Sequence, residues 1–181
     1  PRPRQRCAVK LPRCTIQTPP GVNSRLPLAD EPTTAPHVPS QRPIVYRMRG
    51  LKEKTGAAIV LITIDLGVVA EMAQRVVVMY AGRKVEEAPV RALFAHPRHP
   101  YTQGLLNSIP KLGAAATGAR IRLEEIRGMV PSMREAIPGC VFAPRCAYAT
   151  HRCRNEYPPL ETNAEGHAVA CWEADCIGTR P

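Results

Sequence analysis

The sequence predicts an α/β fold with a parallel sheet, followed by a small Cys-rich, loop-rich C-terminal segment. Three observations predict it. Residues 57–64, AAIVLITI, form a continuous apolar run with β-branched residues, which suits a strand buried on both faces. Helical spacing precedes and follows that run, the alternation of a parallel α/β sheet. Five of the seven cysteines lie between Cys140 and Cys176, in a stretch with little apolar periodicity. Such a stretch needs a staple to hold a shape.

The elements follow in order. Ten of the 20 prolines fall within residues 1–43. Proline removes donors and fixes φ, so residues 1–25 read as an irregular, disordered Pro/Arg-rich tail. Leu26–Glu31, LPLADE, reads as the end of a buried strand interrupted by Pro27. Ile44, Val45, Met48 and Leu51 sit at helical spacing, and Gly56 can end that helix. The Ala57–Ile64 strand comes next, and Asp65 can cap a helix over Leu66–Gln74. Val76–Tyr80 is a second strand, Ala81–Gly82 a turn, and Arg83–Glu87 its hairpin partner. Pro89 opens a helix over Val90–Ala95, and another is expected near Thr102–Ser108. Residues 113–120, GAAATGAR, read as a flexible linker, and Ile121–Met129 as a strand. Met72, Met79 and Val76–Val78 are assigned to the core. Three regions result: the tail 1–25, an α/β core 26–95, and an extension 96–181 with the cysteine cluster.

Composition excludes several classes. No apolar run approaches the ~18–20 residues that span a bilayer, and no basic-then-apolar leader is visible. The net charge of +10 invites a nucleic-acid reading. Its distribution opposes one. Residues 1–49 carry nine Lys and Arg against two acids, whereas residues 134–181 carry five against six. The excess sits in the tail, without aromatics to stack on bases. Nucleic acid is therefore not an expected partner.

Two motifs carry chemistry. In LADEPTTA, residues 28–35, adjacent acids close an apolar strand. The first of such a pair can hold Mg²⁺ and the second can polarise a water that attacks a phosphate. The second motif is Cys140-x5-Cys146-x6-Cys153-x17-Cys171. Four thiolates converging from a loop-rich segment can bind Zn²⁺ or hold a [4Fe–4S] cube. Structural zinc sites usually pair cysteines at C-x2-4-C. No gap here is that short, which tilts towards the cluster; free thiols are the third reading. Arg145, Arg152 and Arg154 are candidates to offset its negative charge through hydrogen bonds. Cys176 reads as a spare, Cys7 and Cys14 as incidental. His96, His99, His151 and His167, mostly beside prolines or in loops, are expected at the surface. His99 and Tyr101 are expected to pack the extension rather than to catalyse.

LADEPTTA, the run from Lys54 through His99-Pro100-Tyr101-Thr102 to Leu106, and the cysteine tail together resemble one family. They are similar to the C-terminal half of the ATP-binding subunits of dipeptide and oligopeptide ABC importers, from about Leu28 to Cys171. The resemblance implies a partial P-loop NTPase (ABC ATPase) core over 26–95 and the peptide-importer C-terminal extension over 96–181. It implies ATP and Mg²⁺ as ligands, with Asp30 as the Mg²⁺-orienting acid and Glu31 as the catalytic glutamate. It also favours a [4Fe–4S] cluster on Cys140, Cys146, Cys153 and Cys171, with Zn²⁺ the alternative. The implied partners are a second ABC ATPase subunit, integral membrane permease subunits and, indirectly, a periplasmic or extracellular peptide-binding protein. The implied location is peripheral, on the cytoplasmic face of the cell membrane.

The sequence also departs from that pattern. Pro36 and His37 follow Ala35 in the loop that contacts the partner subunit. Ile64 stands where the family has its switch histidine, and isoleucine can neither donate nor accept a hydrogen bond. No GxxxxGK[ST] and no LSGGQ-like signature occurs; Arg4-Gln5-Arg6 resembles at most a remnant of the basic stretch after the signature. The chain thus reads as a truncated or degenerate piece of such a subunit, with little ATP hydrolysis of its own. A non-catalytic Fe–S or zinc-binding interaction module is the alternative, and a basic nucleic-acid binder the third.

Overall fold

A computed structural model describes residues 8–11, 14–17, 26–32, 41–109, 125–132 and 137–177. The chain divides into two compact units, Pro1–Ala73 and Gln74–Pro181. The tail motif 4–6, the loop 35–37 and the linker 113–120 lie outside the described residues.

The first unit holds a four-stranded sheet, β1(Ala8–Leu11), β2(Cys14–Gln17), β3(Leu28–Asp30) and β4(Val60–Ile62), in that order. β3 and β4 pair in parallel, Leu28 opposite Val60 and Asp30 opposite Ile62. The β1–β2 hairpin corrects the expectation of an irregular tail. Both strands occupy proline-free tetrapeptides, AVKL and CTIQ, where nothing removes a ladder donor. Helix α1(Gln41–Thr55) buries Ile44, Val45 and Met48, while Tyr46 is exposed. Gly56, at φ 62°, ends it, and its N–H donates to the Lys52 carbonyl. Ile44 and Met48 pack with Ala29, Ile59 and Leu61. β4 is shorter than expected and is not buried on both faces: Val60 and Ile62 are exposed while Leu61 packs inward. α1 covers one side of the pair, so only the inward set is buried. Helix α2(Leu66–Met72) closes the unit.

The second unit begins with the hairpin β5(Arg75–Tyr80) and β6(Arg83–Pro89). Ala81 and Gly82 both have positive φ, 46° and 75°, the type I′ geometry that matches strand twist. A bulge between Val78 and Met79 leaves Val85 outside the ladder. Its carbonyl accepts instead from Ala170 N–H. β6 then pairs with β8(Ala168–Val169), which pairs with β7(Glu161–Thr162), all antiparallel. The hairpin belongs with the cysteine segment because Glu86 faces Val169 across this ladder. α3(Val90–Ala95), α4(Pro100–Asn107) and α5(His151–Asn155) complete the unit. Residues 125–132 hold no strand, contrary to the expectation over Ile121–Met129, whose first residues are not described.

Aromatics make up only 4% of the chain, yet three of them meet in this core. Tyr80 lies 4.7 Å from Tyr101 and 5.2 Å, edge to face, from Phe142. Such pairs add ~0.5–1.5 kcal/mol each beyond area burial. Val78, Val85, Ala88 and Leu93 fill the rest. Val77 and Met79, expected in the core, are half exposed because they point to the other face of β5.

Candidate functional site

In the first unit, Asp30 and Glu31 stand at the C-terminal tip of β3. Asp30 is exposed at the last paired position, opposite Ile62. Glu31 N–H donates to the Ile62 carbonyl at 2.8 Å, and its backbone turns to φ 45°. A left-handed φ is uncommon for a non-glycine residue, so the turn redirects the Glu31 side chain at a small conformational cost. Ile64 lies just past the neighbouring β4 and is 83% exposed. Asp65 does what its sequence position suggests: Oδ1 accepts from Gly67 N–H at 2.9 Å and Val68 N–H at 3.2 Å, capping α2.

In the second unit the organising group is Glu86, which the sequence reading missed. It lies in the middle of β6 and is fully buried. Oε1 accepts from Arg98 N–H at 2.7 Å and faces His167 Nε2 at 2.7 Å; Oε2 accepts from His99 N–H at 3.2 Å. One carboxylate therefore anchors both the His-Pro-Tyr-Thr segment and the β7–β8 hairpin to the strand. The available signal was the acid itself, two residues before Ala88 on a core-facing face, since an acid is almost never fully buried unless paired.

His99 and His167 are buried, not at the surface as expected; His96 and His151 are exposed. His99 is the N-cap of α4, and its Nδ1 accepts from Tyr101 N–H at 3.1 Å. That role leaves the proton of the neutral ring on Nε2. Burial pushes the His99 pKa down to about 4. Pro100 takes the first helical position, where a missing N–H is harmless.

Beside His99 lies a pocket lined by Cys140, Cys146, Cys153 and Cys171, with Phe142, Tyr148 and Trp172 among its walls. These are the four cysteines singled out by spacing; Cys176 is exposed and outside it. The backbone closes the pocket. Cys140 N–H donates to the Cys153 carbonyl at 2.7 Å, and a Cβ on Gly139 would lie 2.5 Å from the Arg154 carbonyl carbon. Only glycine allows that approach.

Three of the pocket thiols are biased towards the neutral form. Burial raises all three of Cys140, Cys146 and Cys171, the second to about 11 and the third to about 12. The other cysteines of the pocket push in the same direction. Backbone N–H groups oppose this: those of Phe142 and Ala143 at Cys140, of Tyr148 at Cys146 and of Glu173 at Cys171. Such donors favour the thiolate. Among the described residues, no three His, Cys, Asp or Glu side chains are gathered at metal-holding spacing as they stand. Four sulfurs line this one pocket, with backbone N–H groups beside three of them.

The arginines do not tune this pocket as the sequence suggested. Arg145 reaches the carbonyls of Ile126 and Arg127 and the Tyr80 hydroxyl. Arg152 lies over the Trp172 ring, 3.4 Å from its centre, and pairs with Glu156; Arg154 is exposed. Arg145 and Arg152 tie chain segments together instead. No helix among the described residues is long and apolar enough to cross a membrane.

Residues 85–153, from the bulged strand through α5, match the family model of the oligopeptide/dipeptide transporter C-terminal region. A probable peptide ABC transporter ATP-binding protein of Sinorhizobium fredii is 51% identical over 148 residues, 82% of this chain and 43% of the relative. The oligopeptide transport ATP-binding protein AppD of Bacillus subtilis is 47% identical over 150 residues, 83% of this chain and 44% of the relative. The dipeptide transport ATP-binding protein DppD of Escherichia coli is 44% identical over 147 residues, 81% and 44%. The chain spans less than half the length of these relatives. With the HPYT segment, its Glu86 anchor and the cysteine pocket all within or beside the matched stretch, the chain belongs with the C-terminal part of the peptide ABC transporter ATP-binding proteins.

Proposed function

We propose that the chain acts as the C-terminal portion of the ATP-binding component of a peptide ABC importer. It would sit peripherally on the cytoplasmic face of the membrane, with a second ATP-binding subunit and the permease subunits. A peptide-binding protein outside would supply the substrate to the permease. The observation that carries this reading is that the residues matching the transporter C-terminal region fold around one anchor, Glu86. The relatives' names supply the peptide and the nucleotide. In the assembled transporter Asp30 would orient Mg²⁺ and Glu31 would polarise the attacking water. Their place at the end of β3, Asp30 exposed and Glu31 half-buried, supports those roles. Ile64 offers the γ-phosphate no hydrogen bond. The test is co-expression of the full chain with peptide-importer permease subunits. Stable co-purification is expected; a folded chain that never accompanies them overturns the reading. By itself the chain is expected to turn over no ATP above background.

Within that component, Cys140, Cys146, Cys153 and Cys171 would hold a [4Fe–4S] cluster, with Zn²⁺ the competing occupant. Either would supply the positive charge that turns buried thiols into thiolates. Iron and sulfide analysis with visible absorbance after anaerobic purification separates the two. A colourless protein with stoichiometric zinc overturns the cluster.

A further inference from the structure

A polar cleft of ≈ 240 Å³ opens beside the β7–β8 hairpin, walled by Arg98, Glu161, Asn163, Val169, Trp172 and Asp175 among others. Pockets for drug-sized ligands run to about 300–1,000 Å³, so this one suits a smaller molecule. Its walls are held in place. Glu161 lies opposite Val169, which lies opposite Glu86, and directly opposed residues share a face of a sheet. The Glu86 carboxylate holds the Arg98 amide at 2.7 Å. Asn163 Oδ1 accepts from the amides of Glu165 and His167, which leaves its Nδ2 donors available among the described residues. Trp172 is pinned by Arg152 over its ring and by Nε1 donating to the Glu156 carbonyl. The charges have two signs. Arg98 donates through Nη2 to Asp175 Oδ1, and the Asp175 side chain is 90% exposed. A pair so exposed is weak, and a guanidinium has further donors for a second carboxylate. Glu161 makes no side-chain hydrogen bond or ion pair among the described residues. A lone anion would meet Glu161 unfavourably, and a lone cation would meet Arg98. A molecule carrying both an ammonium and a carboxylate satisfies both.

We propose that this cleft binds a small zwitterion, an amino acid or a dipeptide, with Arg98 holding its carboxylate and Glu161 and Asp175 its ammonium. Arginine meets a carboxylate through two parallel N–H bonds, which fixes direction as well as energy. Asn163 Nδ2 is placed to donate to the ligand's oxygen atoms, and Trp172, Val169 and Ala174 offer apolar surface to a small side chain. The site needs neither a metal nor a membrane partner, so its failure would leave the importer reading untouched.

The test uses the full chain and follows the emission of Trp172, its only tryptophan, with calorimetry in parallel. The probes are alanine and dialanine, each free, N-acetylated and C-amidated. Saturable binding of a free form is expected, with each blocked form about tenfold weaker for the loss of one charge-assisted bond. The tighter of the two free forms tells amino acid from dipeptide. Arg98→Gln should erase the preference for a free carboxylate and keep that for a free ammonium. Glu161→Gln should do the reverse, shrinking the ammonium preference because Asp175 remains. A merely structural role would weaken every probe alike, and that result overturns the assignment. Should Arg98→Gln fail to fold, Arg98→Lys keeps the charge but not the paired donors, and its carboxylate preference should still fall. Equal binding of free and blocked forms overturns the proposal. So does silence of both readouts at millimolar probe, or unchanged preferences in the variants.

Discussion

His167 Nε2 lies 2.7 Å from Glu86 Oε1, with both side chains buried. The residues come from β6 and from the approach to β8, so this contact fastens the C-terminal hairpin to the middle of the sheet. The same carboxylate receives the amides of Arg98 and His99.

Glu86→Ala would leave those groups buried without their acceptor. Each buried donor left without its acceptor costs about 1–3 kcal/mol. The expected outcome is a large fall in the urea midpoint of the second unit, with faster hydrogen exchange at the amides of residues 98 and 99. Unchanged protection there would show that Glu86 is not the anchor.

His99 gives the metal-free chain an acid limit. Its pKa is near 4 folded against about 6.5 unfolded. The unfolded chain therefore binds more protons between those values, and stability rises with pH across that window. Acidification from about pH 6.5 to 4 should remove ~3 kcal/mol. His99→Gln should flatten the slope, as read from urea melts at several pH values. A slope unaffected by the substitution would assign the acid limit elsewhere.

Gly139→Ala would press a methyl group against the Arg154 carbonyl. Backbone meets backbone there, so neither side can swing away. Overpacking of this kind costs about 1–3 kcal/mol. The Cys140 amide, which donates to the Cys153 carbonyl, should lose hydrogen-exchange protection with it. Unchanged protection would show that the 139–154 contact does not shape the pocket.

Asp65→Ala removes the cap of α2, about 1 kcal/mol for such a residue. The amides of Gly67 and Val68 should lose protection first, because they are the two that the carboxylate receives. Equal protection in the variant would refute the capping role.

Ile64→His alters an exposed side chain and should change stability by no more than about ±0.5 kcal/mol. In an assembled transporter it should raise ATP turnover by restoring a side chain able to hydrogen-bond the γ-phosphate. If turnover does not move, Ile64 is not the lesion.

What the sequence disclosed was mostly local. The Asp65 cap, the Ala81–Gly82 turn and the helix Val90–Ala95 follow from neighbours within a few residues. Cys140, Cys146, Cys153 and Cys171 line one pocket but, among the described residues, not at metal-holding spacing. Long-range pairing was not legible. Nothing near Glu86 announces His167, and nothing near His99 announces that its amide meets a carboxylate on β6. Exposure failed for a related reason. Ile62, Val77 and Met79 alternate as strand residues should, but which face is covered depends on elements far along the chain. The tail hairpin was hidden by its prolines, which lie around the strands rather than within them.

The pairing of Glu86 with His167 also has an order in time. The two residues are 81 positions apart. At about 5–20 residues per second, a ribosome adds the histidine roughly 4–16 s after the glutamate. For that interval β6 has its β5 partner but no β8, and the carboxylate has the amides of residues 98 and 99 but no imidazole. A nascent chain in this state presents an open strand edge beside a side chain still lacking one of its hydrogen-bond partners. It is then that this edge is open to a holding chaperone.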